Sequence, residues 1–171
     1  MMRIKSLLLP TIFCLLLIGI NGCGVYSFTG ASVSPDIKNF SVELFVNRAN
    51  NGPAALAQTF TDRLKLKFQT EANLRQVPNQ GDLQFRGAIT GYTFTSEAPI
   101  AGQTSGLNKL TITVQVDYTN TKDEKDKWTE NFSRYAQFSS SEDIQSVENS
   151  LIEEINRQLV DDIFQKALVK W

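Results

Sequence analysis

The side chains able to do chemistry are few, and most of them are carboxylates. The 171 residues include no histidine. That removes Ser-His-Asp and Cys-His nucleophilic systems, imidazole-ligated zinc and imidazole pH switching. Two cysteines, Cys14 and Cys23, are too few for a four-thiolate site, so no metal and no cofactor is expected. The acidic residues come as sequence neighbours: Asp123/Glu124, Glu153/Glu154 and Asp161/Asp162. Neighbours on a helix point roughly 100° apart. They do not converge on one bond, as a general acid and base must. A non-enzymatic role is expected. The formal net charge of -1 also argues against a nucleic-acid binder.

One cysteine does have a chemical setting. Residues 1–22 place Arg3 and Lys5 ahead of an apolar run from Leu7 to Ile20, and small residues follow. That is the order of a secretory signal peptide. The run is shorter than the ~20 residues a span needs, and it carries Pro10. It ends in Ile20-Asn21-Gly22-Cys23, which resembles the bacterial lipobox, although Asn21 departs from the residue usual at its place. The resemblance implies a diacylglyceryl thioether on Cys23, cleavage before it and acylation (palmitate, for example) of its new amine. Two or three chains satisfy the more-than-one-chain condition for stable anchoring. Gly24 follows with no acidic tract. By resemblance to lipoprotein sorting, the anchor belongs in the periplasmic leaflet of the outer membrane. Cys14 leaves with the signal, so no disulfide is expected and stability must come from a packed core.

Three segments follow: the signal 1–22, a lipid-proximal tether 23–34, and a single α+β domain 35–171. Phe40, Val42, Leu44 and Val46 alternate with polar or opposite-parity residues and predict one strand with these four inward. Asn50-Asn51-Gly52-Pro53 breaks it. Leu56, Phe60, Leu64 and Phe68 recur every four residues and predict an amphipathic helix over 53–71. Leu83, Phe85, Gly87 and Ile89 share one parity, and Tyr92 and Phe94 the other. The phase change beside Gly91 predicts a bulge in a bent strand 83–95. Residues 96–109 predict a flexible loop. Leu110 to Tyr118 is the cleanest alternating strand, dense in β-branched residues. A charged hairpin loop then leads to an antiparallel strand 128–139.

That strand puts Glu130 and Arg134 on the parity of Trp128, Phe132, Ala136 and Phe138. Three arrangements fit: charged ends snorkelling past a sheet edge, a register broken by a bulge, or an internal Glu130/Arg134 pair. The first is expected, because unpaired buried charge is costly. Ser139 to Asp143 offers N-caps for a final helix over 143–170, and Trp171 is expected to fold back onto the sheet. The fold class is α+β: a two-layer sandwich in βαβββα order, a four-stranded mixed sheet with two helices on one face. The opposite face should show Ser41, Glu43, Phe45, Asn47, Thr111, Thr113, Gln115 and Asp117, polar with little charge.

In this order the chain resembles the lipopolysaccharide-assembly lipoprotein family LptE. The residues that carry the likeness are Cys23-Gly24 with Tyr26 to Ser32, Gly87 to Tyr92, Leu110 to Val114 with Trp128 to Phe132, and Leu159 to Phe164. The resemblance implies a plug in the lumen of the outer-membrane β-barrel LptD, help in assembling that barrel, and binding of lipopolysaccharide on its way to the outer leaflet. Basic side chains would meet the phosphates of that lipid. By location the candidates are Lys109 and Arg134. The alternative is a free periplasmic lipid- or glycan-binding lipoprotein of the outer membrane, whose small core positions Gly87, Gly91 and Ala136 would border a cavity.

Overall fold

The computed structural model describes residues 33–97 and 106–168. The expectations for the signal segment, Cys23, most of the tether, the middle of the 96–109 loop and Trp171 lie outside them. The described elements are β1 (Asn39–Val42), β2 (Val46–Asn47), α1 (Leu56–Glu71), β3 (Arg75–Gln76), β4 (Leu83–Glu97), β5 (Leu107–Asn120), β6 (Lys127–Ser139) and α2 (Ile144–Leu168). The sheet is mixed and runs β3-β1-β4-β5-β6, with β2 also on β4. β1 is parallel to β3 and β4, β2 is parallel to β4, and β4, β5 and β6 form an antiparallel meander.

Two helices on a mixed sheet match the expected class, but the sheet has six strands, not four. The order ββαββββα replaces βαβββα. The extra strands have plain causes. β3 is two residues long and carries no apolar alternation, so it leaves no periodic mark. The expected first strand is cut in two.

The cut is a register event. Val42 pairs with Phe85, and Val46 pairs with Ala88. Four steps along the first strand thus match three along β4. The one-residue excess reverses the side-chain alternation. Phe45 turns inward and is 1% exposed, while Leu44 and Val46 turn outward at 59% and 53%. This corrects the expected inward Leu44 and Val46 and the expected outward Phe45. Ser41 is likewise buried rather than open to solvent.

Two neighbours hold the break. The Phe45 backbone N–H donates to Thr61 Oγ1 at 3.1 Å, and the Thr61 hydroxyl donates back into α1, to the Ala57 carbonyl, at 2.7 Å. Thr61 is fully buried, so its hydroxyl supplies an acceptor where the β ladder is interrupted. The Phe45 ring lies over Gly87, where a Cβ would come within 2.7 Å of Phe45 Cε1. A Cβ at Gly87 would meet the Gln115 carbonyl of β5 even sooner than the ring, so glycine here admits both the close approach of β5 and the Phe45 ring.

The core fills the space between helices and sheet. Phe68 of α1 packs its ring, tilted in each case, at 5.5 Å from Phe40, 4.6 Å from Phe85 and 5.2 Å from Phe164 (centroid distances), joining β1, β4 and α2. Each such fully buried ring contributes about 1.5–3 kcal/mol. The bulge predicted beside Gly91 is present as a register shift between Ile89 and Gly91. α1 starts at Leu56, after a turn in which Leu56 N–H donates to the Pro53 carbonyl. At the start of α2, Asp143 Oδ1 accepts the Gln145 N–H at 3.3 Å. Lys67 ties α1 to α2: its Nζ is 2.6 Å from Asp161 and sits over the Phe164 ring. Burial works against its charge, but Asp161 and Glu71 outweigh that and raise its pKa.

Asp82 knots the chain entry to the far hairpin. Its carboxylate accepts the backbone N–H groups of Lys38 at 2.9 Å and Asn39 at 3.2 Å, and meets Lys122 Nζ at 3.0 Å. Its own carbonyl accepts the Thr121 N–H at 2.8 Å. The Lys38 N–H bond is the main cause holding the Asp82 carboxyl below its ordinary pKa, and burial only partly offsets it.

Two outcomes follow. Thr61→Val keeps the shape but leaves the Phe45 N–H buried without an acceptor, so it should destabilise the fold by about 1–3 kcal/mol in urea unfolding. A lowered folded pKa means that stability from Asp82 is fully present above its ordinary value of 3.8 and is lost as pH falls through the folded value. Asp82→Asn should thus be less stable than the native chain at neutral pH, with the gap closing on acidification below that value.

Candidate functional site

The helix-free face of the sheet is the surface that these elements build and leave uncovered by the described chain. Its rows read straight across three strands. Arg86, Asp117 and Thr129 form one row; Ala88, Gln115 and Asn131 the next; then Gly91, Thr113 and Ser133; then Thr93, Thr111 and Tyr135; and last Thr95, Lys109 and Gln137. The strands are β-branched and amide-rich on this side because the opposite parity holds Leu110, Ile112, Val114, Val116 and Tyr118 in the core. Alternation alone therefore sets a polar wall on an apolar floor.

The wall is internally bonded. The Thr129 hydroxyl donates to Asp117 Oδ1 at 2.7 Å, and the Thr113 and Ser133 hydroxyls lie 3.1 Å apart. Arg86 and Asp117 face each other at 3.6 Å, both well exposed, so the pair contributes little. At the β2 end the parity reversal adds an aliphatic island. Val46 sits beside Ala88, and Leu44 and Val46 border a hollow of about 190 Å³ with Arg48, Arg86, Gln115 and Asp117 around it.

The sequence-derived candidates fall as follows. Cys23 lies outside the described residues. Lys109 is on the open face, with its Nζ 5.2 Å from the Tyr135 ring centroid. Arg134 is on the helix side of β6. Its Nε and a terminal guanidinium nitrogen each donate to Asp162 of α2 at 2.6 Å. That bond is the main reason its pKa is raised. Glu130 on the same side meets Lys166 at 3.0 Å. These two charged residues are therefore not paired with each other, and no bulge interrupts β6. They reach past the sheet edge, as expected, but each finds a partner on α2. Lys109 and Arg134 are not brought together, because they stand on opposite faces.

The adjacent carboxylates also part company: Asp161 turns to Lys67 and Asp162 to Arg134. Leu44 and Val46 are the members of the open face that alternation missed. A trace was present in Gly87, since a glycine inside a strand marks something close above it.

No curated protein matches the sequence. Solved structures share the fold. A minor lipoprotein from Acinetobacter baumannii is 15% identical with a TM-score of 0.50, covering 77% of this chain and 93% of that one. A hypothetical protein from Chlamydia trachomatis is 9% identical with a TM-score of 0.52, covering 78% and 99%. A Xanthomonas campestris protein is 11% identical with a TM-score of 0.51, covering 81% and 90%. The family model described as lipopolysaccharide-assembly matches residues 37–167, from the turn before β1 to the last turn of α2, and with that span the chain belongs to the LptE family.

Proposed function

We propose that this protein is an outer-membrane lipoprotein, held on the periplasmic side by acyl chains on Cys23, that seats its open sheet face against the lumen wall of the LptD β-barrel. There it plugs and helps assemble the barrel and takes part in inserting lipopolysaccharide into the outer leaflet. The observation that carries this reading is the open face itself. It is broad, rich in hydroxyl and amide groups, poor in unpaired charge, and interrupted by one aliphatic island. Such a face suits the polar interior of a large barrel. A charged face would lose hydration there without partners. The lipid anchor raises the effective concentration of the two partners on one membrane.

Lys109, on that face, is the cation this reading offers to a lipopolysaccharide phosphate. Arg134, on the helix side of β6, would meet a phosphate separately and only by giving up Asp162. The alternative, a free periplasmic lipid- or glycan-binding lipoprotein, draws less support. Gly87 lies under the Phe45 ring and borders only the shallow surface hollow at the β2 end, and Gly91 faces the Thr113 side chain, so neither opens a space between helices and sheet.

Purification in mild detergent should recover the chain with a large β-barrel, identified by mass spectrometry. Val46→Arg, an exposed site, should cut barrel recovery several-fold with the circular dichroism unchanged. Recovery of the chain alone sinks the proposal. Cys23→Ser should move the chain from the outer-membrane fraction to the soluble periplasmic fraction. Retention in the membrane with no barrel present sinks the anchor.

A further inference from the structure

The sheet has one long free edge. β6 has β5 on one side, and among the described residues no strand pairs with its other side. Its register with β5 is unbroken from Leu107↔Ser139 to Thr119↔Lys127. It contains no proline and no glycine. Shortness, proline and bulges are the ordinary means by which proteins blunt such edges, and β6 has none of them. It does have inward-facing charges, which usually repel an incoming strand. Here Glu130 is already met by Lys166 and Arg134 by Asp162. The charges therefore act as a filter: an incoming strand must set a cation against Glu130 and an anion against Arg134.

The strand that does so is β6 itself. We propose that two copies of this chain join edge to edge through antiparallel β6 strands centred on Phe132. In that register Glu130 of one copy stands opposite Arg134 of the other, and Phe132 opposite Phe132. Trp128 meets Ala136 on the helix side, and Thr129 meets Tyr135 on the open side. Directly opposed side chains approach to about 4.5–5.5 Å between Cβ atoms. The charges then line up as Lys166, Glu130, Arg134 of the second copy and Asp162 of the second copy, alternating in sign, and the two-fold axis repeats the row.

The register is selective. Moving the centre to Asn131 or Ser133 sets both charges against apolar side chains. Moving it to Glu130 or Arg134 sets like against like. Trp128 and Phe132 are half-buried in one copy and Tyr135 is 55% exposed, so all three have surface left to cover. This pairing does not rest on the barrel reading, and it describes the chain when no larger partner occupies its edge.

Cysteine cross-linking tests the register on the full chain in detergent. Thr129→Cys and Tyr135→Cys lie on the open face, away from the core. Under mild oxidation an equal mixture should give at least ten times more disulfide-linked dimer than either variant alone. Each variant alone carries the same native cysteines and the same chance of sharing a micelle. Equal yields in all three samples overturn the proposal. So does a monomer by sedimentation velocity throughout a concentration series from micromolar to hundreds of micromolar. Glu130→Lys should weaken dimerisation at least ten-fold, and an unchanged dissociation constant in a variant whose melting curve is native also overturns it.

Discussion

The one-residue excess where β1 gives way to β2 along β4 governs the rest of the structure. A strand that kept step with β4 would have sent Leu44 and Val46 into the core and Phe45 to the surface. The extra residue does the reverse. The interruption has a cost, because a β ladder that loses a step leaves backbone groups without partners. Thr61 meets that need with a buried hydroxyl aimed at the Phe45 N–H, and Gly87 meets the ring that results. Sheet, helix and open face are thereby coupled at one point. The residue that lets Phe45 enter the core is the same one that sets Leu44 and Val46 on the outer wall.

What the sequence disclosed follows from what leaves a periodic trace. α1 was legible because Leu56, Phe60, Leu64 and Phe68 repeat at the helical period and all end fully buried. β5 was legible because its two parities differ in both polarity and branching. The Gly91 bulge was legible because a phase change coincides with a glycine. The first strand misled for the same reason that β5 informed. Phe40, Val42, Leu44 and Val46 are a clean alternation, and an inserted residue leaves alternation of types intact while reversing its sense. Phe45 sits in the odd parity as an aromatic among Ser41, Glu43 and Asn47, and that was the one discordant residue. β3 was invisible because two residues paired by backbone alone need no pattern. The open face is therefore legible on β5, where pattern and register agree, but not at Ser41 and Phe45 of the first strand, where they part.

The charged residues of β6 show a second limit of one-dimensional reading. Glu130 and Arg134 share the parity of the core, and sequence could pair them only with each other or with water. Their partners, Lys166 and Asp162, lie on α2 about one turn apart, facing the same edge. A sheet edge flanked by a helix gives charge a third option: it can extend past the last strand and meet the helix. Because both pairs are about half exposed, each contributes little to stability by itself. Their effect is on which strands the edge will accept. The same helix uses the neighbouring Asp161 for Lys67 on the other side, so one adjacent acidic pair faces two interfaces, α1 and β6.

The contrast between the two sides of the sheet explains how one domain can be stable alone and still present a large surface to something else. On the helix side, stability comes from Phe68 and its ring neighbours, fully withdrawn from water. On the open side, part of the polar surface is already bonded across the strands, so those groups need no new partner when the face is covered. Thr129 with Asp117, and Thr113 with Ser133, keep their bonds whether or not a wall approaches. A face whose polar groups are already satisfied loses less hydration on docking than one lined with solitary charges. Val46 and Leu44 then stand as the places where covering the face yields a hydrophobic gain. Docking strength would therefore be concentrated at the β2 end, where the strand broke step.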